Sequence, residues 1–437
     1  MSEAIKLFVE DARAVSIEAA AKILNLKFKR SGVEHPQPCP HCGGTDTFAF
    51  NTGKEKWNCR AGGIGGNDAI GMVAHCEGLD VKSREGLLEA CSIVLGRDIP
   101  DEGERESDED RQARKKRLEE RRLQNEADAA ARAASQDEFR EKERAKARGI
   151  IKTATGLRTS VDPRGRHYLE YRCNGFPDAS WLRFGASVPY WHGQDERGAP
   201  LELFSGPAIV APFIGPDLVE IGCHITWIDL RQPPKYRPLL YGLTKKGLAC
   251  GLLDWAFSDA PPLAIDLADG LYEQLPAKKM RGSKKGGLIP IAGHPDCSRW
   301  VGGEGIENGV AFGVWEGFRA DTFYFAAGDL GNLTGPAEPS SRFAHPMLKK
   351  PDAKGVLRAL MVQGPKPKRD QGADDAMWVA DHVDELVLLA DGDSEPVMTA
   401  AAMARARARH ARPGRLIPIV WPRAGYDFSR MAVETGE

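Results

Sequence analysis

The chain has 437 residues, 42% of them hydrophobic, and a formal net charge of −2 at pH 7. That is ample material for two or three cores, no run approaches the roughly 18 apolar residues that span a bilayer, and the Met-Ser-Glu-Ala start lacks a signal-peptide pattern. A soluble cytoplasmic protein with no membrane partner is expected, in which nine cysteines, an odd number, argue for metal binding or burial and against a disulfide framework.

Composition divides the chain into a cysteine- and glycine-rich part (1–100), a block more than half Asp, Glu, Lys and Arg (101–149), and a part that regains apolar and aromatic character (150–437). In the first part, Cys39-Pro-His-Cys42-Gly-Gly is a tight turn whose two thiolates face one ion. TFAFN and KWNC form a hairpin around Thr52-Gly53, and the second strand delivers Cys59. This is zinc-ribbon spacing, except that Gly62 stands where a fourth cysteine belongs. His75, His41, His35 and Cys76 are the replacement donors. His75 is preferred, because it lies beyond the glycine turn on a helix expected to fold back. Cys91, in the helical stretch REGLLEACSIVLG, reads as core. Trp57, Phe48 and Phe50 suit base stacking, although hairpin packing explains them at least as well.

The charged block carries no Gly or Pro from Glu109 to Arg148 and reads as a solvated single helix supported by i,i+4 ion pairs. Its apolar positions are too sparse for a coiled-coil seam.

In the third part, ITWIDL reads as a strand that buries Trp227 and leaves His224 an interior residue. DLRQPPKYRP offers Arg231, Lys235 and Arg237 with Tyr236 as a stacking platform. Lys278, Lys279, Arg281, Lys284 and Lys285 form a second basic strip suited to phosphates, and a solvated face is the plainer reading of both. RWVGGE and ELVLLAD are short apolar runs of the kind found as buried strands in parallel sheets, whose carboxyl ends carry ligand sites. Glu304, Asp391 and Asp393 therefore converge on one rim. Hard oxygen donors of this type suit Mg²⁺ or Mn²⁺, with Glu304 as third ligand or general base. Asp329, in AAGDLGNL, and Asp427, in GYDF, are secondary candidates. Residues 335–375 read as an irregular insertion; Pro396 suits the first turn of a following helix, with Ser394 as its cap.

CPHCGG, TDTFAFN, WNC and GGIGGNDAIGMVAHCEGLD together resemble the zinc-binding domain of DnaG-type bacterial and phage primases. Cys39, Cys42 and Cys59 match three ligand positions, Asp68 and Ile70 match the start of the helix, and Gly62 departs from the pattern. Glu304-Gly305 and Asp391-Gly392-Asp393 resemble the two signatures of the toprim domain, and EGIE is a form associated with phage and mobile-element primases. The resemblance implies a multi-domain α/β chain: a zinc-ribbon domain (1–100), a helical linker (101–149), a primase core with basic template-binding strips (150–290) and a Rossmann-like toprim domain (291–437). It further implies a primase making RNA primers on a single-stranded DNA template from nucleoside triphosphates, with structural Zn²⁺ and catalytic Mg²⁺ or Mn²⁺. Because no G-x-x-x-x-G-K-[ST] loop occurs, the helicase is expected to be a separate partner. A toprim nuclease and a non-catalytic single-strand-binding replication protein are the competing expectations. A topoisomerase would need gate and tyrosine domains for which the chain is too short.

Overall fold

The computed structural model describes residues 2–29, 32–101, 108–194, 199–244, 246, 270–351 and 355–435. The chain forms two compact units, Met1–Phe139 and Arg140–Glu437, and has mixed α/β architecture. Residues 102–107 of the expected linker lie outside the described residues.

The first unit opens with helices α1 (Glu3–Arg13) and α2 (Ile17–Ile23), begun by Ser2 and Ser16, whose hydroxyls accept from the amides of Ile5 and Ala19. Strands β1 (Glu34–Cys39), β2 (Gly43–Asn51), β3 (Lys56–Cys59) and β4 (Ile64–Gly66) follow as an antiparallel sheet in sequential order. The β2–β3 turn is set by Asn51, whose Oδ1 accepts from the amides of Gly53 and Lys54, the side-chain mimicry that makes Asn a turn residue. Helices α3 (Ala69–Glu77) and α4 (Arg84–Leu95) are capped by Asp68 and Ser83 and stopped by left-handed Gly78 and Gly96. One core joins Phe8, Phe48, Phe50, Met72, Val73 and Cys91.

Helix α5 (Asp108–Thr153) is the long charged helix, and the division between the units falls within it. Exposed pairs such as Arg122–Glu119 at 2.7 Å run along it.

The second unit contains β5 (Thr155–Gly156), α6 (Arg164–Cys173), β6 (Arg183–Gln194), β7 (Pro200–Ile214), β8 (Glu220–Trp227), β9 (Leu240–Leu243), β10 (Tyr272–Leu275) and β11 (Lys278–Gly282). It continues with β12 (Ile289–Ala292), β13 (Arg299–Gly303), α7 (Ile306–Glu316), β14 (Thr322–Ala326), α8 (Leu330–Thr334), β15 (Phe343–Pro351), β16 (Leu357–Val362), β17 (Glu385–Leu389), α9 (Pro396–His410), β18 (Ile419–Val420) and α10 (Phe428–Thr435). An antiparallel sheet has the order β11-β8-β7-β6-β5, and a second sheet the order β12-β14-β13-β17-β18. In the second, β14, β13, β17 and β18 are parallel and β12 is an antiparallel edge.

Alternation along those strands feeds two cores. Trp300, Phe323, Phe325, Leu386 and Leu388 pack with Met403 and Ala406 of α9. Val301, Tyr324, Val387 and Leu389 pack with Val310 and Phe312 of α7. Helices on both faces explain why these strands are apolar throughout. Gly302 and Gly303 allow the strands this closeness, since a Cβ on them would lie 2.4 Å from Phe325 O and 2.6 Å from Leu389 O.

Three sequence readings change. Residues 335–375 are not simply irregular, because β15 and β16 form a two-stranded ribbon there. Ser394 is not the cap of α9; Glu395 takes that place, accepting from the amide of Met398, while the Ser394 hydroxyl donates to Asp391. Trp57, Phe48 and Phe50 do not offer stacking faces. Trp57 is 5% exposed, donates its indole N–H to Asp68 O and stacks on Phe48 and His75. Packing the ribbon core uses all three rings.

Candidate functional site

The first cluster is built by two knuckles and a helix. The β1–β2 turn presents Cys39 and Cys42, the end of β3 presents Cys59, and α3 presents His75; their donor atoms all lie within 4.8 Å of one another. The amides of Cys42 and Gly62 each point at a thiol sulfur, Cys39 and Cys59 respectively, at 3.3 Å. His75 Nε2 lies 3.4 Å from Cys39 Sγ and 3.7 Å from Cys42 Sγ. Tetrahedral zinc with ordinary Zn–S and Zn–N lengths separates such donors by about 3.5 Å. A Cys₃His donor set at this spacing fits zinc.

Gly62 explains the departure from four cysteines. A Cβ at this position would lie 2.9 Å from the His75 ring and 3.3 Å from Cys42 Sγ. The space a fourth cysteine would fill is occupied by an imidazole arriving from α3. The other donors are committed elsewhere. His35 Nδ1 accepts from the Lys29 amide, and its ring packs on Phe28 and Phe50. His41 packs edge-on against His75. Burial pushes the Cys76 thiol up to about 12 and the Cys91 thiol up to about 11.

The second cluster follows from strand register. Gly303 lies opposite Leu389 on one side and Ala326 on the other, so Glu304, Asp391 and Asp329 leave three neighbouring strand ends in one direction. Burial, followed by the nearby charge of Asp329, raises the Glu304 carboxyl above its usual range, and the Leu330 amide that it accepts works the other way. Burial and a hydrogen bond shared with Asp393 push Asp391 up to about 7. Asp391 Oδ2 accepts from Ser394 at 3.0 Å, whereas no donor among the described residues reaches its buried Oδ1. An unpartnered buried carboxylate oxygen is costly, and with two more hard oxygen donors nearby it fits a divalent cation. These carboxylates are looser than the cysteine cluster. Among the described residues, only Cys39, Cys42, Cys59 and His75 gather three or more donors that tightly.

Asp329 caps α8, accepting from the Asn332 amide at 2.7 Å, and pairs with Lys284. Asp427 is a helix cap instead of a rim carboxylate, accepting from the Arg430 amide and the Ser429 hydroxyl. The space beside Gly392 is filled by the protein itself: a Cβ there would lie 2.5 Å from Tyr426 O.

The two basic strips divide. Lys278 and Arg237 converge on Glu307, at 2.8 and 2.7 Å, and Tyr168 donates to the same carboxylate at 2.8 Å. Burial opposes the Glu307 charge, yet Lys278 and Arg237 hold it well below the usual carboxylate range. Lys278 also acts on Glu304, so this ionic group borders the rim. Lys279 sits over the Tyr190 ring at 3.5 Å, and Arg231 pairs with Asp229 at 2.9 Å. Arg281 is half-buried on β11, and Lys235 and Lys285 are exposed. Tyr236 packs on Tyr171, and burial pushes His224 down to about 4. The Glu307 group is a feature that sequence reasoning missed. Its one sequence signal is a second glutamate three residues after Glu304, in the first turn of α7.

No protein-family model matches the chain, and no curated protein does. Among solved structures, the zinc-binding and RNA polymerase domains of the Aquifex aeolicus primase are similar at 15% identity, with a TM-score of 0.31, over 100% of this chain and 83% of that one. A likeness this loose carries no argument. Among the described residues no helix is long and apolar enough to cross a membrane.

Proposed function

We propose that this chain is a primase of the DnaG type, joining nucleotides on a single-stranded DNA template by metal-dependent nucleotidyl transfer. The observation that carries the reading is the rim of Glu304, Asp391 and Asp393 at adjacent strand ends, with Asp391 Oδ1 buried and met by no donor among the described residues. It stands in one chain with a Cys₃His cluster. The roles divide by residue: 1–100 is the zinc-holding, template-reading part, 150–290 supplies basic groups, and 291–437 is the catalytic toprim part, with 101–149 between.

Asp391 and Asp393 would hold the divalent ion, and Glu304 would be its third ligand or the general base. When bound, Mg²⁺ or Mn²⁺ would neutralise charge at phosphate oxygens and lower the pKa of the attacking hydroxyl. The 3′-hydroxyl of one nucleotide attacks the α-phosphate of the next, its proton passes to the base, and pyrophosphate leaves. Lys278, held by Glu307, adds positive charge that acts on Glu304 at the rim. Template, nucleoside triphosphates and a separate replicative helicase are the partners this reading requires, and the EGIE form suits a phage or mobile element.

The test is substitution at the rim. Asp391→Ala and Asp393→Ala are expected to lower ribonucleotide incorporation on single-stranded DNA by at least 100-fold, the order found when a transition-state charge stabiliser is removed. Circular dichroism and thermal unfolding should show the fold retained, since thinning a carboxylate cluster relieves repulsion. Near-normal incorporation by both variants would overturn the assignment.

A further inference from the structure

We infer that the β15–β16 ribbon is an arm that grips duplex DNA. From Arg342 to Arg369 the sequence holds eight Lys or Arg and one acidic residue, Asp352, in a chain whose net charge is −2. Beyond buried His345, every described residue of β15 is exposed, and so are most of β16. Met347 is 81% and Leu357 65% exposed. Lys349 and Lys350 make no ion pair among the described residues. An isolated two-stranded ribbon is marginally stable in water, so this one needs a footing and a reason to stand out.

The footing is well built. Buried Arg405 of α9 donates to Gly335 O at 2.9 Å and Gly364 O at 2.7 Å, tying together the two ends of the insertion. His345 pairs at 2.9 Å with Glu395, two residues after Asp393. The arm is thus fixed beside the acidic rim.

The ladder gathers positive charge: Lys350 lies directly opposite Arg358 in the antiparallel pairing. The register slips between Ala344 and Lys349, and the His345 ring holds the bulge by accepting from the amides of Met347 and Leu348, which thrusts Met347 outward beside the lysines. A row of phosphates matches this positive charge, a two-stranded ribbon fits the roughly 12 Å major groove of B-form DNA, and exposed Met347 and Leu357 suit apolar contact with thymine methyls there. Charge, shape and the exposed apolar side chains agree on duplex DNA as the occupant.

The experiment is fluorescence anisotropy of a labelled 20-base-pair DNA duplex with the full-length chain, wild type against Lys349→Glu/Lys350→Glu, across a salt series without divalent metal. The variant is expected to bind at least tenfold more weakly, with a salt slope reduced by about 2, close to 0.9 for each phosphate that the variant leaves unneutralised. Its thermal unfolding should be retained, because Lys350→Glu sets opposite charges across the ladder, facing Arg358. Unchanged duplex affinity and slope would overturn the inference, and so would an equal loss on a single strand of the same length. The readout is separate from catalysis: Asp391→Ala is expected to lose incorporation and keep duplex binding, so failure of either reading is visible alone.

Discussion

Gly62 and His75 show how one missing side chain defines another's place. With no Cβ at Gly62, the His75 ring enters the space 2.9 Å from where that atom would stand, and its Nε2 completes a donor set within 4.8 Å. The expected outcome is about one zinc per chain by elemental analysis. His75→Ala should release it to a chelator faster than His41→Ala or His35→Ala, since His41 packs edge-on against His75 outside the donor set and His35 serves the Lys29 amide. Equal retention in all three variants would remove His75 from the ligand set. Cys39, Cys42 and Cys59 were legible because knuckle spacing is local. The geometric fit of His75 with Gly62 was not, since it depends on how closely α3 approaches the knuckle.

At the level of elements, α7 joins the two sheets of the second unit through one buried carboxylate. Glu307 receives Lys278 from β11, Arg237 from the segment after β8, and Tyr168 from α6. Glu307→Gln would leave two cations facing each other with one carboxylate fewer, and breaking such a pair costs about 3–5 kcal/mol. The sign with pH follows from the lowered carboxyl. Its stabilisation is present above the unfolded value of about 4.3 and is lost as pH falls through the folded value. Denaturant unfolding at pH 7 should show the loss, and the variant's stability should fall less steeply than the wild type's below pH 4. A variant as stable as wild type at pH 7 would refute the linking role. This group was hidden in the sequence because its members stand at 168, 237, 278 and 307, and a charge strip gives no hint of which cation turns inward. The β15–β16 ribbon was hidden for another reason: its bulge breaks the period-2 pattern by which strands are read. RWVGG and ELVLL, free of such slips, were readable as strands from their apolar runs.

Taken whole, the molecule places a soft, thiol-rich donor set in the first unit and a hard, carboxylate rim in the second. The order of these two motifs was legible because each sits on a local signature. The pairings that border the rim, Asp329 with Lys284 and Glu307 with Lys278, emerged only from packing. On the proposed function, the rim builds polymer on a template instead of cutting it. The direct measurement incubates the full-length chain with single-stranded DNA of varied sequence, labelled ribonucleoside triphosphates, and Mg²⁺ or Mn²⁺, and follows both the new label and the template length on one gel. A primase yields short, alkali-labile labelled products, template of unchanged length, and loss of product in Asp391→Ala. Shortened template without labelled product, abolished by the same substitution, would contradict it and assign the rim to a nuclease.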